Sequence, residues 1–244
     1  MTPGTTGGQA LVAALADGGV RQAFTVPGES FLGVLDALRD SPIRTVATRH
    51  EGGAAFMAEG YGQLSGRPAV CLATRAVGAA NLAIGLHTAT ADSTPLVAVI
   101  GQVPRDRRGR EAFQEVDLVA TFGRLCKAAV EIDDPAAMGP QTARLLALAR
   151  SGRPGPVLLA VPEDVVEGVI TASTLAVPAS RPAGPPSPAP PPAEVLRTVL
   201  TALAGASAPL IVAGAGVLRA EATGPLARFA DRFTIPVVAR WRPP

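Results

Sequence analysis

Four short clusters hold the side chains best placed to do chemistry, and they gather where apolar, strand-like runs end. Val26-Pro27-Gly28-Glu29-Ser30 joins a φ-locked proline to a glycine that lets a ligand approach the backbone, with Ser30 placed to cap a following helix. Arg49-His50-Glu51-Gly52-Gly53 sets one carboxyl group at a helix start. The two glycines behind it cost about 0.5–1 kcal/mol each relative to alanine, which close packing of a flat ligand or of another backbone would offset. An acid in a first turn also favours the helix dipole by about 0.3–1 kcal/mol, so Glu51 has a structural reading beside a chemical one. His50 reads as a satisfied polar residue at a pocket rim.

The third cluster, Thr74-Arg75-Ala76-Val77-Gly78-Ala79-Ala80-Asn81, is a turn of mostly small residues with an amide seven positions past Thr74. The fourth is Gly101-Gln102-Val103, followed by Ala112-Phe113-Gln114-Glu115, where either glutamine could line a pocket. Taken singly, each cluster also reads as an ordinary turn with surface polar residues. No metal-ligating set is assigned, because Cys71 and Cys126 lack ligand spacing and Cys71 sits in an apolar run as a small hydrophobe.

The elements that must position these clusters alternate short β-rich runs with helix-period stretches from Gln9 to Val161, the rhythm of βα units around a largely parallel sheet. Leu11, Val12 and Leu15 mark a first helix, and Phe31, Leu32, Leu35 and Leu38 a second. Strands are expected at Ala23–Val26, Ile43–Thr48, Ala69–Ala73, Leu96–Ile100 and Val157–Val161, the last four apolar enough to be covered on both faces. Ligands of such sheets bind beyond the carboxyl ends of the strands, where the clusters fall.

Residues 176–192 are expected to form a semi-rigid linker, since Pro178–Pro192 holds eight prolines. Beyond it, 193–244 reads as an incomplete second α/β domain: helix Glu194–Leu203, strand Leu210–Ala213, helix Pro225–Arg232 and strand Ile235–Ala239. A unit that small is marginal alone.

Composition narrows the class: 48% hydrophobic and 17% charged residues make a globular chain, and a net charge of +2 gives no nucleic-acid footprint. The run Arg105, Arg107, Arg108 and Arg110, interleaved with Asp106 and Glu111, reads as a solvated loop. Neither a secretory leader nor a bilayer-spanning apolar run is evident, so no membrane partner is expected and the cytoplasm is the default address. A dinucleotide fingerprint is missing after the first strand, and Gly214-Ala215-Gly216 lacks a third glycine.

Taken together, in this order, the clusters resemble the N-terminal pyrimidine-binding domain of the thiamine diphosphate (ThDP)-dependent acetolactate synthase and benzoylformate decarboxylase superfamily. The resemblance runs from about Gly8 to Val169, most like acetolactate synthase large subunits. Its carriers include Val26-Pro27-Gly28, Arg49-His50-Glu51, Glu59-Gly60-Tyr61, Gly78-Ala79-Ala80-Asn81, Asp92-Ser93-Thr94-Pro95-Leu96 and Gly152-Arg153-Pro154-Gly155. It implies an α/β domain over 1–175 and the start of a middle domain beyond the linker.

The resemblance also implies roles. The glutamate matching Glu51 hydrogen-bonds the N1′ nitrogen of the cofactor's aminopyrimidine and activates the cofactor to attack a 2-oxo acid, with pyruvate the one expected from the acetolactate synthases. That requires a carboxyl group able to hold or share a proton near neutrality, a state that burial favours and a helix start opposes. Pro27 and Gly28 would approach the pyrimidine, and Thr74, Gly78 and Asn81 would wall it. Phe113 and Gln114 would face the substrate across a dimer interface, and Arg153 matches an arginine that contacts a structural FAD. Mg²⁺ and the diphosphate belong to a Gly-Asp-Gly domain with no counterpart here. The chain is therefore expected to be inactive alone, as a homo-dimer or as a hetero-oligomer with a chain carrying that domain. A non-catalytic interaction module with the same fold is the other reading.

Two stretches depart from the pattern. Acetolactate synthases usually read Thr-Ser-Gly-Pro-Gly where this chain has Thr74-Arg75-Ala76-Val77-Gly78, and often Pro-Lys-Asp-Val where it has Pro162-Glu163-Asp164-Val165. The first puts a long cation at a small turn residue, and the second reverses a charge.

Overall fold

A computed structural model describes residues 4–170 and 190–240, and the chain divides into two compact units, Met1–Pro185 and Pro186–Pro244. The first is built on six strands: β1 (Gln22–Thr25), β2 (Arg44–Ala47), β3 (Ala69–Thr74), β4 (Leu96–Gln102), β5 (Ala128–Glu131) and β6 (Pro156–Pro162). Every pairing is parallel and the order is β2-β1-β3-β4-β6-β5. Its helices are α1 (Gly7–Asp17), α2 (Leu32–Arg39), α3 (Glu51–Ser65), α4 (Arg75–Ala91), α5 (Leu118–Phe122), α6 (Met138–Arg150) and α7 (Glu163–Glu167).

The period-two alternation of the central strands sends successive side chains to two separate cores. Val70 and Leu72, Val97 and Val99, and Val157 and Leu159 join the core shared with α1, α2 and α6. Cys71 and Ala73, Leu96, Ala98 and Ile100, and Leu158 and Ala160 face the core shared with α3, α4 and α5. On that second face Ala54, Ala55 and Ala58 of α3 are small and fully buried, so these helices lie close to the sheet and to each other. Gly85 of α4 packs directly on Ala55. Thr6 starts α1 with a capping box, its hydroxyl accepting from Gln9 N at 3.2 Å while Gln9 Oε1 accepts from Thr6 N at 2.9 Å.

One strand expectation needs correction, and one strand was not expected. The Ile43–Thr48 run is not covered on both faces: β2 is an edge strand paired only to β1, and Arg44, Thr45 and Ala47 are exposed. At the other edge β5, an unmarked Ala-Ala-Val-Glu, closes the sheet against β6.

The second unit holds α8 (Ala193–Ala204), β7 (Ile211–Ala213), α9 (Ala215–Arg219), α10 (Thr223–Phe233) and β8 (Val237–Ala239), with β7 and β8 paired in parallel. Along α8, Val195, Leu196, Val199 and Leu200 remain about half exposed. The expected linker lies outside the described residues up to residue 189.

Candidate active site

Because all six strands run the same way, their carboxyl ends share one edge of the sheet, and the chemistry-bearing clusters gather there. His50 caps α3 from extended backbone, its Nδ1 accepting from Gly52 N at 3.0 Å, and Glu51 is the first helical residue. The half-buried carboxylate of Glu51 accepts through Oε2 from Asn81 Nδ2 on α4 at 2.9 Å. Oε1 looks toward Gly78, where a β-carbon would stand 3.3 Å from it and 3.0 Å from the Ala73 β-carbon. A bare backbone at 78 therefore leaves that oxygen uncovered.

The two glycines behind Glu51 differ in their neighbours. A β-carbon at Gly52 would lie 3.0 Å from His50 Nδ1 and 3.2 Å from the Asn81 carbonyl oxygen, so the close approach there is to the capping side chain and to α4 backbone. At Gly53 no atom lies within 4 Å of that position.

The turn after β1 meets the end of β3. A β-carbon at Gly28 would stand 2.6 Å from Thr74 Oγ1, and the Ser30 and Thr74 hydroxyls hydrogen-bond at 2.5 Å. Ser30 does not cap the following helix as expected: it lies in a 3₁₀ turn, and Phe31 precedes α2 with no side-chain cap. Pro27 is exposed beside Gly28.

The loop after β4 completes the edge. Phe113 is 70% exposed, and its carbonyl accepts from Arg75 Nη1 at 3.2 Å. Gln114 has φ +61°, its carbonyl accepts from Ala76 N at 3.4 Å, and its buried Oε1 has no partner among the described residues. Gln102 is saturated instead, donating to Val116 O and accepting from Val103 N, each at 2.9 Å. Glu115 accepts from Gly109 N at 2.7 Å and Ala112 N at 3.1 Å, and these backbone donors hold its carboxyl below the usual range.

Parts of the basic run are anchors rather than a solvated loop. Arg105 Nε pairs with Asp164 Oδ2 at 2.7 Å and its Nη1 donates to Asp133 O at 2.6 Å, while Arg108 pairs with Glu131 at 2.5 Å. The acids interleaved with the run do not form these pairs; the partners are Glu131 at the end of β5, Asp133 just beyond it and Asp164 in α7, which no local spacing announces.

Arg153 sits away from this cluster, just before β6 and thus at the amino edge of the sheet. Its Nε donates to Ser93 Oγ at 2.8 Å, and its Nη2 to the carbonyls of Thr90 and Ala91 at 3.1 and 3.2 Å, closing the end of α4. Glu59 and Asp92 carry the resemblance without an assigned role, and the fold pairs them: Glu59 of α3 is buried, and burial first, then the Asp92 charge, pushes its carboxyl up to about 7. Its signal was an acid flanked by small residues, Ala58 and Gly60, inside a helix.

Among the described residues no group of three or more His, Cys, Asp or Glu side chains is placed to hold a metal, and no helix is long and apolar enough to cross a membrane. Residues 5–121 match the family model described as thiamine pyrophosphate enzyme, N-terminal TPP binding domain. The chain is 38% identical over 233 residues to a probable acetolactate synthase large subunit of Methanocaldococcus jannaschii, covering 95% of the chain and 39% of that relative. An acetolactate synthase of Arthrospira platensis is 36% identical over 238 residues, 96% of the chain and 41% of the relative. A chloroplastic acetolactate synthase of Arabidopsis thaliana is 38% identical over 240 residues, 96% of the chain and 35% of the relative. The chain thus spans about two-fifths of the length of these relatives. With its parallel α/β sheet and with Glu51 at the carboxyl edge, the chain is similar over residues 5–121 to the N-terminal TPP-binding domain of the thiamine pyrophosphate enzymes.

Proposed function

We propose that this chain supplies the pyrimidine-side, cofactor-activating part of an acetolactate synthase-type enzyme that decarboxylates and joins 2-oxo acids, with pyruvate as the donor. The observation that carries this reading is the Glu51 carboxylate, held through Oε2 by Asn81 while Oε1 faces bare Gly78. The residues fit the aminopyrimidine end of ThDP. Glu51 would hold a proton against a ring nitrogen, with Asn81 fixing the carboxylate plane and Gly78 and the Pro27-Gly28 turn leaving room for a flat ring. Gln114 Oε1, buried without a partner among the described residues, is an acceptor suited to a ligand N–H or O–H. Bound ThDP supplies the carbon nucleophile that adds to the keto group. Phe113 and Gln114 form the substrate side.

On this reading 1–175 is the pyrimidine-binding domain, 176–192 a linker and 193–244 the beginning of a middle domain. Mg²⁺ and the diphosphate are held by residues outside those described. FAD rests on the match at Arg153 alone, whose Nε and Nη2 already close the end of α4. The outer face of α3 and α4 supports pairing with a second copy or with a chain bearing the diphosphate domain: Phe56, Met57, Val77 and Ile84 are 44–58% exposed there. Two free thiols, Cys71 and Cys126, suit a cytoplasmic protein.

The test is complementation with a polypeptide that carries the diphosphate-binding domain, followed by acetolactate and CO₂ assays with ThDP, Mg²⁺ and pyruvate. Glu51→Gln should lower turnover by about 10²–10⁴, the range for removing a positioned acid-base group, with pairing intact. The exposed apolar face also favours a second reading, an interaction module without chemistry. Under it the chains pair equally well with either residue and no turnover depends on Glu51.

A further inference from the structure

Arg75, the first residue of α4, combines features that do not serve stability. Its φ is +43°, in the left-handed region that a β-carbon disfavours. Its side chain is only 11% exposed, yet its carboxylate partners stand off, Glu29 Oε1 at 3.7 Å from Nη1 and Glu163 Oε2 at 3.6 Å from Nη2. Nε is buried with no partner among the described residues. A buried cation with long ion pairs and an unmet donor loses to desolvation much of what Coulomb attraction gains.

The partners come from three different segments of the crevice edge: Glu29 from the turn after β1, Glu163 from the start of α7, and the Phe113 carbonyl from the loop after β4. The two positions that depart from the acetolactate synthase pattern, 75 and 163, are thereby joined. A small residue and a cation have become a cation and an acid, and the new pair is in contact. With two carboxylates beside it, the guanidinium is matched to groups of this chain rather than poised for the carboxylate of a substrate.

We propose that Arg75 is a positioning residue that fastens the loop carrying Phe113 and Gln114 to the crevice edge and so sets which 2-oxo acid side chain the site admits. The fastening stands on geometry alone; the substrate consequence rests on the function proposed above. The test separates the two. Arg75→Gly removes the guanidinium while relieving the left-handed backbone, so the full chain should fold at least as stably as the parent. Amide hydrogen exchange across 109–117 should then quicken tenfold or more, with β3 and β4 amides unchanged, and Arg75→Lys should restore part of the protection. Exchange across 109–117 equal to the parent's in Arg75→Gly overturns the proposal, whether or not the chain binds ThDP. In the complemented enzyme, Arg75→Gly should shift the KM ratio between pyruvate and a longer 2-oxo acid at least fivefold with kcat within twofold. An equal fall in kcat for both substrates overturns the selective role and leaves the ThDP reading standing.

Discussion

At the scale of single residues, the two oxygens of Glu51 have different surroundings, one held by an amide donor and the other facing a missing side chain. Gly78→Ala isolates the second. Replacing a helical glycine gains up to about 1 kcal/mol of propensity, which the 3.0 Å approach to the Ala73 β-carbon offsets, so stability should move by less than about 1 kcal/mol. The added methyl lies 3.3 Å from Glu51 Oε1, in the space assigned to the pyrimidine, and ThDP affinity of the complemented enzyme should fall at least tenfold by calorimetric titration. That Glu51 starts a helix at a strand end was legible from an acid behind β-rich residues and ahead of a small-residue helix. Its bond to Asn81 was not, because the partners lie on separate helices and meet only through the close crossing of α3 and α4. Arg75 was visible as an unexpected cation, but its partners come from distant segments.

At the scale of elements, the buried Glu59 of α3 lies against Asp92, which ends α4. Its folded carboxyl titrates near 7, above the ordinary 4.5. The folded state thus holds a proton that the unfolded chain releases first. This contribution to stability is whole below about pH 4.5 and is lost as pH rises through 7. Glu59→Gln keeps an amide able to donate to Asp92 and removes the titration. It should raise stability at pH 8 by on the order of 1–2 kcal/mol and flatten the profile between pH 5 and 8, measured by urea unfolding at several pH values. The central strands were legible because they are continuous apolar runs; β5 was not, since a partly buried edge strand of Ala-Ala-Val-Glu carries no such signal. The same limit applies to β2, whose exposure follows from its place at the edge and not from its own composition.

At the scale of the molecule, the helices that hold Glu51 and Asn81 also turn an apolar face outward, so the site and the surface proposed for pairing share the same two rods. Ile84→Glu, at a position 58% exposed, should leave stability within about 0.5 kcal/mol and weaken association at least tenfold by sedimentation velocity. The α/β class and the order of the central elements were readable from the alternation of patterns. The strand order, which takes β3 and β4 to the middle and β2 and β5 to the edges, is a property of crossovers that leave no local mark. The small residues where α3 and α4 meet, Ala55 against Gly85, have a consequence for how the protein can diverge. Beneath α1, α2 and α6, valine, leucine and isoleucine can trade places with repacking, and sequences can drift there with little effect. Between α3 and α4, at Gly85 and Ala55, a single added methyl has nowhere to go without parting the helices that carry the carboxylate and its amide, so that contact is the one natural selection should hold still.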